Sequence, residues 1–96
     1  MEKIRLGIIG IGNMGSEHCR LILSGQTPEI ALTCVADPRQ DRRDWAQQTL
    51  PAGTGIYADG MSLIRAHACD AVLIATPHEL HPPLAEAALR AGLHVL

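Results

Sequence analysis

The sequence predicts an α/β fold, a doubly wound parallel sheet of five strands with helices on both faces. Three observations lead there. Short apolar runs alternate with stretches of helical spacing along the whole chain, a glycine-rich turn joins the first run to the first helix, and aromatic residues are nearly absent. With one Trp, one Tyr and no Phe, the core must be built from Ile, Leu, Val and Ala, which suits strands covered on both faces. Regular β-α alternation implies parallel pairing with right-handed crossovers. The strand order 3-2-1-4-5 then puts a switch point between the first and fourth strands, at whose carboxyl ends ligands of such sheets bind.

Residues 4–10 form a nearly continuous apolar run closed by glycine, a strand buried on both faces. From Asn13 to about Ser24 the spacing turns helical, with Gly15, Cys19 and Ile22 on one face and Gly25 placed to stop it. Residues 30–36 alternate and are rich in β-formers, a second strand. Asp37-Pro38 reads as an N-cap and first-turn proline opening a polar helix to about Thr49, with Trp45 and Ala46 inward. After a loop at 51–55, Gly55-Ile56-Tyr57 is a short third strand, and Asp59 caps a short helix over 61–66. Residues 71–75 form the fourth strand, ended by Thr76-Pro77. His81-Pro82-Pro83 starts a helix carrying Leu84, Ala87, Ala88 and Ala91 at helical spacing, Gly92 stops it, and His94-Val95-Leu96 begins a fifth strand.

Ninety-six residues make one domain. Hydrophobic residues are 47%, charged residues 19% and the net charge is −2, the balance of a globular protein rather than a disordered one. One lysine and no basic run give no footprint for nucleic acid. No apolar stretch is of membrane-spanning length and nothing resembles a signal peptide, so the expected location is cytoplasmic. Cys19, Cys34 and Cys69 are widely spaced without a C-x-x-C pair, and read as buried reduced thiols.

The chemistry concentrates at Gly10-Ile11-Gly12-Asn13-Met14-Gly15. G-x-G-x-x-G alone is a weak signal, but here a strand precedes it and a helix follows. Gly10 allows the tight turn, Gly12 lets backbone approach a pyrophosphate, and Gly15 lets the helix pack close to the sheet. The helix N-terminus, with Asn13 and Met14, offers N–H groups and a partial positive charge to a diphosphate. Asp37 lies 22 residues after Gly15, near the spacing at which a carboxylate accepts ribose hydroxyls and repels a 2′-phosphate. Arg39, Arg42 and Arg43 complicate this: an arginine there can grip a 2′-phosphate, or the three can form a solvated face with Asp41 and Asp44. The expected cofactor is NAD, with NADP as the alternative.

Other polar residues carry less. His78-Glu79-Leu80-His81 departs from H-E-x-x-H and lacks a third zinc ligand. His18 reads as packing or a helix hydrogen bond, Asp59 as a cap, Asp70 as a strand-entry residue and Tyr57 as a strand-end core residue. Thr76 is the best remaining polar residue at the sheet's carboxyl edge. No serine sits in a nucleophile elbow.

Taken with His18, Val35-Ala36-Asp37-Pro38 and Tyr57-Ala58-Asp59, the glycine loop resembles the N-terminal domain of the Gfo/Idh/MocA oxidoreductases over nearly the whole chain. The most specific likeness is the segment from Asp70 to Pro77 with His81, Ala91-Gly92 and His94-Val95 after it. The resemblance implies a Rossmann-like domain, incomplete at its C-terminal edge, from an NAD(P)-dependent enzyme acting on a sugar, cyclitol or related polyol. It places Thr76 and Pro77 beside the cofactor and His81 toward the nicotinamide; position 78, often Asn in the family, is His78 here. The family continues with a Glu-Lys-Pro segment carrying an essential lysine and with a substrate domain. Both are expected to be missing from this chain, so the 96 residues alone are expected to bind a nicotinamide dinucleotide, to expose an apolar face, and to be inactive and either marginally stable or self-associating. The intact protein is expected to be a homo-oligomer. A non-catalytic nucleotide-binding or sensor module is the alternative reading.

Overall fold

The computed structural model describes residues 3–76 and 81–96. Five strands, β1 (Ile4–Ile9), β2 (Ile30–Ala36), β3 (Gly55–Tyr57), β4 (Ala71–Ile74) and β5 (His94–Val95), alternate with four helices: α1 (Asn13–Leu23), α2 (Gln40–Thr49), α3 (Gly60–Arg65) and α4 (His81–Arg90). The strands form one sheet in the order β3-β2-β1-β4-β5 with every pairing parallel. This is the expected doubly wound topology, with β1 at its centre.

The sheet separates two cores. On one face Cys19 of α1 and Ala46 of α2, with Leu50 beyond it, bury Leu6, Ile8 and Val35, with Trp45 and Ile22 packed at the edge. On the other, Leu63 and Ile64 of α3 and Ala88 of α4 bury Ile9, Cys34, Ala36, Val72 and Ile74. Trp45 faces inward as expected, and the Arg20 guanidinium lies over its ring, 5.6 Å from the centroid. The three cysteines are free and buried. Cys34 and Cys69 both turn their sulfurs to Gly7, where an added Cβ would stand 2.8 and 3.1 Å from them. Burial, then the neighbouring Cys69, pushes the Cys34 thiol up to about 12, so it stays protonated and unreactive.

The strand β2 departs from simple alternation. Leu6 pairs with Leu32 but Gly7 pairs with Cys34, so Thr33 is an extra residue, a β-bulge. Ile30 and Leu32 face the α1 side while Cys34 and Ala36 face the α3 side. The parity of the strand reverses at Thr33, whose hydroxyl donates to the carbonyl of Ala68 at 2.8 Å.

Where the fourth and fifth strands lie on the α1 side, a hollow of about 530 Å³ is lined by Ile4, Leu6, Ile30, Ala71 and Leu96, with Asp70 and His94 beside them. Ile4 and Leu96 are 50% and 64% exposed there. Among the described residues no helix is long and apolar enough to cross a membrane.

Candidate functional site

The carboxyl ends of β1, β2 and β4 meet at the glycine turn. β1 stops at Ile9, one residue sooner than expected, because Gly10 takes φ +91°, in the left-handed region glycine favours. The Gly10 N–H donates to the carbonyl of Ala36 at 2.7 Å, and Ala75 N–H donates to that of Ile9 at 2.8 Å. Gly10 is thereby fixed between β2 and β4, and a Cβ on it would come within 2.9 Å of the Thr76 methyl.

Gly15 is closed in more tightly: a Cβ there would overlap the carbonyl oxygen of Gly10. Only glycine lets α1 begin this close to the turn. Gly12 is the opposite case, with no atom within 4 Å of an added Cβ. Its backbone borders open space in front of the helix, a cradle that a side chain would fill. Gly12 is also the helix cap, and no side chain caps α1. Ser16 N–H makes the first helical bond, to the carbonyl of Gly12 at 2.9 Å, so helix geometry leaves the N–H groups of Asn13, Met14 and Gly15 without an intrahelical acceptor. Asn13 is exposed and Met14 is 71% exposed. This is a fitting seat for a diphosphate.

Asp37 is buried, 7% exposed, at the end of β2. Its Oδ2 accepts the N–H of Ile11 at 2.9 Å and its Oδ1 that of Arg39 at 2.9 Å. Its own N–H donates to the carbonyl of Tyr57 at 3.1 Å. The expectation that Asp37 caps α2 is corrected here. The cap is Arg39, in extended conformation at φ −84°, ψ 129° with no side-chain cap bond, and the helix starts at Gln40. With one carboxylate oxygen committed to the glycine loop and the other to a turn closed by Arg39, the chain passes Pro38 before it can coil. Ile11 was absent from the expected site; its signal was only that it stands between two glycines of the turn.

Two of the three arginines are held locally, and Arg42 Nε is buried without a hydrogen-bond partner among the described residues. Arg39 donates from Nε and Nη2 to the two oxygens of Asp41, at 3.2 and 2.9 Å. Arg43 donates from Nη1 to the carbonyls of Asp37 and Pro38, both at 2.9 Å, and from Nη2 to Gln40 Oε1. Beside them opens a cleft of about 240 Å³ lined by Gly10, Ala36, Pro38, Met61, Thr76 and Leu84, among others. The role of Met61 and Leu84 as its apolar walls had no sequence signature. Asp59 stands at its rim and caps α3 by accepting Ser62 N–H at 2.8 Å. That bond, with the Ser62 hydroxyl, holds the Asp59 carboxyl below the usual carboxylate range. Of the expected site residues, Gly10, Gly12, Gly15, Asp37 and Thr76 converge on this edge, and Arg39 flanks it. Pro77 and His78 lie outside the described residues. His81 is the first residue of α4, and its side chain is likewise not described.

Residues 4–96 match the family model for the oxidoreductase family with an NAD-binding Rossmann fold. The chain belongs to the Gfo/Idh/MocA family. Among relatives of this Gfo/Idh/MocA domain, inositol 2-dehydrogenase 4 of Saccharopolyspora erythraea is 36% identical over 98 residues, covering 99% of this chain and 28% of that protein. A glycosyl hydrolase family 109 protein of the same organism is 35% identical, covering 98% of this chain and 22% of the other. Scyllo-inositol dehydrogenase from Lactobacillus casei, solved with bound NAD(H) and scyllo-inositol, superposes with a TM-score of 0.87 at 29% identity, over 98% of this chain and 27% of that one. The chain thus spans about a quarter of the length of these relatives. It is an NAD-binding Rossmann domain of the Gfo/Idh/MocA type, and the resemblance read from its glycine loop and its Thr76-Pro77 segment is borne out.

Proposed function

We propose that this domain holds the nicotinamide cofactor for an oxidoreductase acting on a sugar or cyclitol, and that the 96 residues alone do not turn over substrate. The observation that carries the reading is the coupling of Asp37 to Ile11 N–H at the head of an uncapped helix. In this reading the N–H groups at the start of α1 receive the diphosphate, with Gly12 leaving room for it. Asp37, already oriented by the loop, presents its remaining lone pairs to the adenosine ribose hydroxyls. The apolar cleft between Pro38, Met61 and Leu84 takes the adenine, and Thr76 stands where the cofactor crosses from β1 to β4. Arg39 lies at the ribose side; Pro77 and His81 are assigned to the cofactor by the family resemblance alone.

The bound nicotinamide supplies the hydride chemistry, and the chain's share is to place it. The polyol class rests on the inositol dehydrogenases among the relatives. The hydrolase relative favours a second reading, in which the intact protein cleaves a glycoside.

The test is a fluorescence titration of the folded chain with NADH, beside an absorbance assay with NAD and myo-inositol. Saturable NADH binding, weakened at least roughly tenfold in Asp37→Ala, with no NADH formed from inositol, is the expected result. A well-folded chain that does not bind NADH overturns the cofactor role, and inositol-dependent NADH formation overturns the claim of inactivity.

A further inference from the structure

Asp37 and Arg39 are joined through the turn that Arg39 N–H closes on Asp37 Oδ1. The Arg39 side chain therefore starts beside the carboxylate assigned to the ribose. A guanidinium so placed is the group that would reach the 2′-phosphate of an NADP-type dinucleotide. Instead both its Nε and its Nη2 are engaged by Asp41, as a two-point pair. Planar two-point pairing fixes the direction of a guanidinium better than a single contact does. Arg43, another arginine near the turn, is held by two backbone carbonyls and Gln40.

We propose that Asp41 is a positioning residue for cofactor selectivity. It keeps Arg39 turned along the first turn of α2, away from the place a 2′-phosphate would take. The proposal rests on the cofactor reading above. The side chains of Arg39 and Asp41 are 66% and 62% exposed, and exposed pairs of this kind are weak. The tether is therefore a modest gate added to the larger barrier that Asp37 itself presents.

The experiment measures NADH and NADPH affinity of the wild-type chain and of the Asp41→Asn, Asp41→Glu and Arg39→Ala/Asp41→Asn variants at low and moderate salt. Asp41→Asn is expected to raise NADPH affinity by roughly threefold to tenfold with NADH affinity unchanged, the gain shrinking with added salt. Asp41→Glu should keep the wild-type ratio, and removing Arg39 should cancel the gain. Wild-type binding of NADH with no change of ratio in Asp41→Asn overturns this inference and leaves the cofactor reading standing. A gain that survives loss of Arg39 overturns the tether. Failure of the folded wild-type chain to bind either nucleotide overturns both readings together.

Discussion

The two ends of the central sheet handle the same chemical problem in opposite ways. At the amino end, Asp70 leads into β4 and accepts from Arg5 three times, from its backbone N–H at 3.0 Å and from its guanidinium at 3.3 and 2.9 Å. Asp70 N–H returns a bond to the Arg5 carbonyl at 2.7 Å. The charges cancel in place, about half exposed. At the carboxyl end, Asp37 also accepts backbone N–H groups, but it is buried, and neither N–H brings a full positive charge. A carboxylate satisfied by an arginine is finished structure. One satisfied only by amides keeps its charge and its unused lone pairs for whatever enters the cleft.

Breaking the carboxyl end should be costly. Gly15→Ala forces a methyl into the Gly10 carbonyl, and the turn must open. We expect a loss of about 2–3 kcal/mol in stability, the scale of a strained core insertion, and at least roughly a tenfold loss of NADH affinity, since each factor of ten needs only about 1.4 kcal/mol. Denaturant melts and titration together check this. Asp37→Ala leaves Ile11 N–H buried without its acceptor, a cost of about 1–3 kcal/mol. The ribose contacts go with it, each charged hydrogen bond of about 1.5–3 kcal/mol being worth roughly ten- to a hundredfold in NADH affinity.

The amino end should give a small effect of one kind only. Asp70→Asn lowers stability slightly and leaves NADH affinity unchanged, and a parallel fall in affinity would erase the contrast between the two ends. The Arg5 guanidinium and backbone N–H hold the Asp70 carboxyl below the usual carboxylate range, as Ser62 holds Asp59. Folding thus favours their ionised forms, so their stabilisation is present above that range and fades as the pH falls through the depressed values. The gap between wild type and Asp70→Asn should narrow in acid; acid melts that stay parallel would contradict the assignment.

Much of this was readable from the residues. The strand boundaries of β2 and β3, the strand order, the cap at Asp59 and the close packing at Gly10 and Gly15 follow from spacing and turn chemistry. Asp37 was found for its distance from Gly15, yet its local role was misjudged. Asp-Pro before a polar run is a strong cap signal, and only the tertiary approach of Ile11 shows why the carboxylate turns elsewhere. The Arg39–Asp41 pairing is equally hidden, because an arginine run among aspartates fits a solvated face as well as a tethered side chain. The bulge was hidden for a third reason. Ile30, Ala31 and Leu32 are all apolar, so alternation there carries no phase information.

That bulge bears on how the gene can change. Thr33 is the one residue of β2 that Cα pairing with β1 skips. Without it, Cys34 would follow Leu32 in unbroken alternation, and Ala36 and Asp37 would keep their places at the glycine loop. An in-frame loss of this codon should cost little beyond the hydroxyl bond to Ala68, while loss of Val72 from β4 inverts every side chain after it. Melting curves of the two deletions would show it: only the first should fold and bind. The strand carries a spare residue, and descent with small deletions has a place here to act without touching the site.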